Sequence, residues 1–390
     1  MSAADRQALA ADSLFDGVSL RHDFAVVIEG ERIAAVVPTP ELPNDIPVRR
    51  LPDGAWLAPG FIDVQVNGGG DVLFNDAPSP EGIAAIVAAH RRFGTTALLP
   101  TLISDTPEKM REALGAVQAM LGRDPSVLGI HFEGPFLSPE KPGVHDPAMI
   151  RTPKPADRTL LTSLRGGVTL VTLAPEAVPV GFIADLAAAG VRVSLGHSMA
   201  TYAQTRAALT QGLTGFTHLF NAMRPLASRE GGPIAAALEC PDAWYGLIVD
   251  GEHVAPPMLR LALRGAGHPM LVSDAMPPVG GSRSSFLLHG RTIEMRDGRC
   301  ARADGTLAGA ALDMATAVRN SVRLMHLPLP DAIRLATQTP AHFLGIADRL
   351  GRLAPGYRAD MVALDPDAIR VFATWVAGKE CARMEATASV

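Results

Sequence analysis

The chain has 390 residues, 47% hydrophobic and 19% charged, which supplies a deep core and excludes a disordered chain. Lys and Arg total 35 against 40 Asp and Glu, a formal net charge of -5, and no basic stripe exists, so a nucleic-acid partner is not expected. The three cysteines, Cys240, Cys300 and Cys381, are far apart with no CxxC pair; this argues against a disulfide framework and fits a reducing cytoplasm.

The opening MSAADRQALAAD carries two aspartates and an arginine and leads into no apolar run, so it does not read as a secretory signal. No window reaches the roughly 18 apolar residues of a membrane span. A cytoplasmic protein without a membrane partner is the expectation. Two short β-like runs follow, Phe24–Gly30 and Arg32–Val37, then the Pro-rich connector PTPELPNDIP. The far end, ADMVALDPDAIRVFATWVAGK, again holds two short strands, divided by Asp-Pro-Asp. Together the ends predict a small β-sandwich domain built from both termini, residues 1–55 plus 352–390, around a larger domain at 56–351.

Within that middle, β-branched or Leu-rich strand candidates end near Gln65, Thr101, Glu133, Ala174, His197, His218, Asp250 and Asp274. Helix-period stretches lie between them, including PSPEGIAAIVAAHRRFG, TPEKMREALGAVQAML and ATYAQTRAALTQG. Several open on Ser-Pro or Thr-Pro and several close on Gly, the chemistry of helix starts and stops. This alternation predicts an α/β fold, a (β/α)8 TIM-like barrel. An open doubly wound sheet is disfavoured because no GxGxxG follows the first strand. The segment near 284–305 breaks the alternation and reads as a hairpin or meander with its turn at Asp297–Gly298.

In such a barrel the chemistry sits where strands end. Strand three ends in Glu133, five in His197, six in His218 and eight in Asp274. One carboxylate and two imidazoles suit a divalent metal such as Zn²⁺ with an open position for water. Asp274, across the rim, is the candidate proton acceptor. His131 shares a strand face with Glu133 and either supports the site from behind or packs in the core.

The motifs APGFIDVQVNGGG, GIHFEGPFLSPEKPGVHDP, TLAPE, LGHSMATY, GFTHLFNAM, VDGEHV and SDAMPPVG together resemble the N-acetylglucosamine-6-phosphate deacetylases of the amidohydrolase superfamily. The resemblance implies Glu133, His197 and His218 as metal ligands and Asp274 as catalytic acid/base. It places His145 near the scissile amide, and Asn221, the Ala222 backbone amide and Leu307 around the sugar phosphate. Arg229 and His253 match basic residues of the phosphate subsite. It further implies a homodimer in which the neighbouring subunit lends a phosphate ligand.

The chain departs from the wider superfamily at Gln65-Val66-Asn67, where most members carry His-x-His for a second metal. Amides are poor Zn²⁺ ligands, so one metal per subunit is expected, Zn²⁺ first, with Fe²⁺, Co²⁺ or Mn²⁺ as alternatives. Gly231 stands where the deacetylases usually have Pro, and Ala308 where Ser is common. The expected reaction converts N-acetyl-D-glucosamine 6-phosphate to D-glucosamine 6-phosphate and acetate. The alternatives are the same chemistry on N-acetylgalactosamine 6-phosphate, another amidohydrolase substrate lacking phosphate, or a non-catalytic scaffold.

Overall fold

Eight parallel strands follow one another around a central sheet: β1 (Phe61–Val66), β2 (Thr95–Ile103), β3 (Gly129–Glu133), β4 (Val168–Leu173), β5 (Arg192–Leu195), β6 (Leu213–Phe216), β7 (Trp244–Leu247) and β8 (His268–Leu271). Neighbours in space are neighbours in sequence, as successive βαβ crossovers require. The last strand returns to the first through a parallel bridge between Val66 and Ala275. Asp274 N–H to Gln65 O (3.0 Å) and Asn67 N–H to Ala275 O (2.9 Å) complete the seam. The expected barrel is therefore present. The computed structural model describes residues 6–383.

The barrel strands are covered on both faces, which is why they read as near-continuous apolar runs; all nine residues of β2 are buried. Helices form where the sequence supplies caps. Thr106 accepts from Lys109 N–H ahead of helix Pro107–Met120, and Thr201 forms a reciprocal capping box with Gln204 ahead of Tyr202–Thr210. Each such cap contributes about 1 kcal/mol. No helix among the described residues is long and apolar enough to cross a membrane.

The terminal segments form one sheet in the order Lys379–Arg383, Val371–Val376, Met361–Leu364, Trp56–Pro59, Arg6–Phe15, Leu20–Glu29, Arg32–Pro38, with Val48–Arg50 also paired to Arg6–Phe15. Leu9, Val26, Leu57, Met361 and Trp375 pack into its core. The division differs in detail from cuts at 55 and 352. Strand Trp56–Pro59 pairs inside this sheet, against Met361–Leu364. The helices from Met314 to Leu344 cluster with the same compact unit, whose described residues also include those up to Asp63 and Ala88–Ala97. Composition marks a strand but not its hydrogen-bonding partner, so a cut drawn on composition misses such assignments.

The second unit, Val64–Val87 and Leu98–Leu312, carries the insertion. It is a four-stranded meander, Ser285–Leu288, Arg291–Arg296, Arg299–Ala301 and Leu307–Ala310, one strand longer at its end than the expected 284–305. Asp297 and Gly298 turn its middle hairpin with φ of 52° and 80°, both in the left-handed region that a two-residue type I′ turn demands. Leu288, Ile293, Cys300 and Ala308 pack with Ile103 and Met276 in one apolar cluster.

Candidate active site

Glu133 is the last residue of β3, while His197 and His218 each lie two residues beyond the ends of β5 and β6. His197, His218 and Asp274 all adopt left-handed backbone, with φ of 48°, 33° and 50°. Such conformations cost of order 1–3 kcal/mol apiece and persist where the surrounding structure enforces them. Glu133 Oε1 lies 2.9 Å from His218 Nε2 and 3.3 Å from His197 Nε2, and the two imidazole nitrogens are 3.2 Å apart. Among the described residues this is the one group of three or more ligating side chains that could hold a metal ion, and all three are buried.

The donor chemistry fits a divalent cation. His197 Nδ1 lies 2.8 Å from Lys141 O, and a carbonyl only accepts, so Nδ1 carries the hydrogen and the Nε2 lone pair faces the cluster. Burial opposes the Glu133 charge, yet its pairing with His197 and His218 holds its pKa well below the ordinary carboxylate value. The same pairing with Glu133 raises His218 against the opposing effect of burial. Buried anion and imidazoles thus form an electrostatically coupled ligand set.

Asp274 stands across from this cluster. Asn67 Nδ2 donates to its Oδ1 at 2.6 Å, and Gln65 Nε2 lies 3.2 Å from both Asp274 Oδ1 and Glu133 Oε2. The two amides therefore serve as donors to carboxylates, the role open to an NH₂ group. Burial first, then the Glu133 charge, pushes the Asp274 carboxyl up to about 6. A carboxylate tuned towards neutrality suits a group that accepts and returns a proton.

The side chains of Asn67, Glu133, His197, His218 and Asp274 line one pocket. His145, Asn221, Ala222, His253 and Leu307 line it as well. His145 is buried, its ring edge-on to His197 at 4.4 Å between centroids, and burial followed by the His197 charge holds its pKa well below the ordinary value. Gly143 permits this approach, since a Cβ there would lie 3.1 Å from His197 Cε1. His253 is gripped by Asp250: Nδ1 to Oδ2 is 2.6 Å, and Asp250 Oδ1 accepts from the backbone amides of Glu252 and His253.

Arg229 is the exception. It lies on the exposed loop 225–229, outside the pocket lining. The following Glu230 turns inward, its Oε1 accepting from Tyr202 N–H and Gly232 N–H at 2.8 Å each, which leaves Arg229 facing solvent. Gly231 caps helix Gly232–Glu239 and Ala308 is buried beside Leu307; neither lines the pocket.

Beneath the site a buried polar string crosses the barrel. His131 Nδ1 lies 3.1 Å from Val64 O, so Nδ1 must donate and Nε2 must accept. Nε2 then receives the Thr172 hydroxyl (2.8 Å), Thr172 receives Thr217 (2.6 Å), and Thr217 receives Ser194 (2.7 Å). One carbonyl orients every hydrogen in the series. Burial leads the fall of the His131 pKa to about 4, which keeps the ring neutral and the direction intact. His131 is thus hydrogen-bonded at both nitrogens beneath Glu133 rather than merely packed.

The amidohydrolase family model matches residues 56–384, and the NagA composite domain matches residues 8–57. The chain belongs to the amidohydrolase family. This amidohydrolase is 44% identical over 340 residues to an N-acetylgalactosamine-6-phosphate deacetylase of Shewanella sp. (strain ANA-3), covering 86% of this chain and 85% of the relative. It is 38% identical over 362 residues to an N-acetylglucosamine-6-phosphate deacetylase of Haemophilus influenzae, covering 92% and 94%. The crystal structure of N-acetylglucosamine-6-phosphate deacetylase from Pasteurella multocida superposes with a TM-score of 0.93 at 35% identity, covering 96% and 99%.

Sequence reasoning missed two partners in this amidohydrolase, Ser104, which contacts His145, and Asp250, which holds His253, and it missed the donor role of Gln65 and Asn67. Asp250 carried a usable signal, a strand-end acid three residues before a histidine. Ser104 carried none, because its partner lies 41 residues away.

Proposed function

We propose that this amidohydrolase hydrolyses the N-acetyl group of N-acetyl-D-glucosamine 6-phosphate, releasing D-glucosamine 6-phosphate and acetate. The observation that carries this reading is the convergence of Asp274 and His145 on the Glu133–His197–His218 cluster in one pocket. Those three residues would hold one divalent cation, Zn²⁺ first, which when bound supplies Lewis acidity and a lowered water pKa. Asp274 takes the proton from the attacking water and returns it to the departing amine nitrogen. His145 donates to the carbonyl oxygen as negative charge accumulates there.

Asn221, the Ala222 backbone amide, Leu307 and His253 position the sugar phosphate. Asp250 supports this by keeping the His253 ring in a fixed orientation, Nδ1 to Oδ2 2.6 Å, so that its other nitrogen is aimed consistently. Arg229, exposed on its loop, fits a phosphate ligand lent to a second copy of the chain, so a homodimer is part of the proposal. A cytoplasmic setting agrees with three cysteines that form no disulfide.

A second reading is the galacto epimer, favoured by the 44% identity to the Shewanella enzyme. Acetate release measured on both sugar phosphates, with and without a chelator, decides. A higher kcat/KM on the gluco substrate, lost on chelation and restored by Zn²⁺, is the expected result. A higher kcat/KM on the galacto substrate transfers the assignment to that epimer, and chelator-resistant turnover removes the metal from the reading.

A further inference from the structure

We infer that Ser104 is a positioning residue that forces the His145 hydrogen onto Nε2, making His145 a neutral hydrogen-bond donor and never the proton acceptor. This deepens the proposed function and rests on it for the identity of the substrate group that receives the bond. Ser104 directly follows β2, so the strand end sets the direction of its backbone N–H. That N–H donates to His145 Nδ1 at 3.2 Å. A peptide N–H has no other role, so Nδ1 must present its lone pair. The Ser104 hydroxyl lies 2.8 Å from the same nitrogen and, facing a lone pair, it too donates.

The remaining hydrogen of the neutral ring then sits on Nε2, the nitrogen opposite, in a residue that lines the pocket. An added hydrogen at Nδ1 would point at the Ser104 N–H, a donor meeting a donor in a site where Ser104 is 1% and His145 2% exposed. The contact is held from several sides. A Cβ on Gly134 would lie 2.3 Å from Ser104 Oγ, so the hydroxyl occupies space that only glycine leaves open. Arg302 Nη2 donates to Val144 O at 2.9 Å, and His145 N–H donates to Pro142 O at 3.0 Å, fixing the loop that carries the ring. The arrangement leaves Asp274 as the group that accepts the water's proton and reserves His145 for the carbonyl oxygen.

The test is nitrogen-15 spectroscopy of the full, zinc-loaded protein, with the His145 signals assigned by their loss in His145→Asn. At neutral pH the expected result is a hydrogen on Nε2 and a bare Nδ1. In Ser104→Ala, which removes one of the two donors to Nδ1, kcat on the preferred sugar phosphate is expected to fall roughly tenfold with KM within about twofold. Zinc content should stay unchanged. A hydrogen on Nδ1 in the unaltered protein overturns the inference, as does a Ser104→Ala effect confined to KM or to zinc content. Should neither sugar phosphate be hydrolysed, the functional reading falls alone, and the spectra still decide the tautomer.

Discussion

Asn67 and Asp274, 207 positions apart in the chain, are joined by a hydrogen bond of 2.6 Å from Nδ2 to Oδ1. They sit at the seam where β1 meets the segment after β8, so the contact that aims the proposed base also lies where the barrel closes. Without this donor the buried carboxylate would face Glu133 with less compensation. Asn67→Asp replaces the donor with a like charge and should raise the Asp274 pKa further above about 6. Asp274 must be ionised to accept a proton, so activity is lost as pH falls through its pKa. The acid limb of kcat/KM should therefore move to higher pH in Asn67→Asp than in the unaltered enzyme. An unmoved or downward-shifted limb contradicts this assignment.

Asp274→Asn keeps the shape and removes the proton acceptor. Asp274 is not a member of the three-residue cluster, so the bound metal should remain at full stoichiometry. Turnover should fall at least roughly a hundredfold, the scale of losing a general acid/base. Metal analysis alongside steady-state rates checks both halves, and near-normal turnover removes Asp274 from the role.

Asp250→Asn keeps a side-chain acceptor for the backbone amides of Glu252 and His253 but withdraws the charged acceptor 2.6 Å from His253 Nδ1. If His253 anchors the phosphate, KM for the sugar phosphate should rise roughly tenfold, the value of one charge-assisted contact, with kcat changed much less. The non-phosphorylated N-acetyl sugar should show no such change. An equal effect on both substrates would mean that Asp250 acts on the fold and not on the phosphate.

Thr172→Val breaks the one-way polar string in its middle. His131 Nε2 loses its donor and the Thr217 hydroxyl loses its acceptor, both without access to water. Each stranded group costs about 1–3 kcal/mol, so denaturant unfolding should show a loss of at least about 2 kcal/mol. Thr210→Val, on an exposed helix end, should change stability by less than about 0.5 kcal/mol. Equal effects of the two substitutions would deny the string any special weight.

The sequence alone determined the barrel. Parallel strands buried on both faces leave continuous apolar runs, and capped helices leave Thr-Pro starts and Gly stops, both local records of the fold. It also marked Glu133, His197, His218 and Asp274, because a polar residue at the end of an apolar strand stands out within a few positions. What a side chain is bonded to is another matter, since partners such as Ser104 and His145 or Gln65 and Asp274 come from distant segments of the chain. Only the tertiary structure decided that Gln65 and Asn67 serve carboxylates, that Trp56–Pro59 joins the terminal sheet, and that Arg229 faces solvent. Hydrogen direction likewise followed from tertiary structure: one carbonyl at Val64 and one amide at Ser104 set two tautomers, and no spacing rule encodes such contacts.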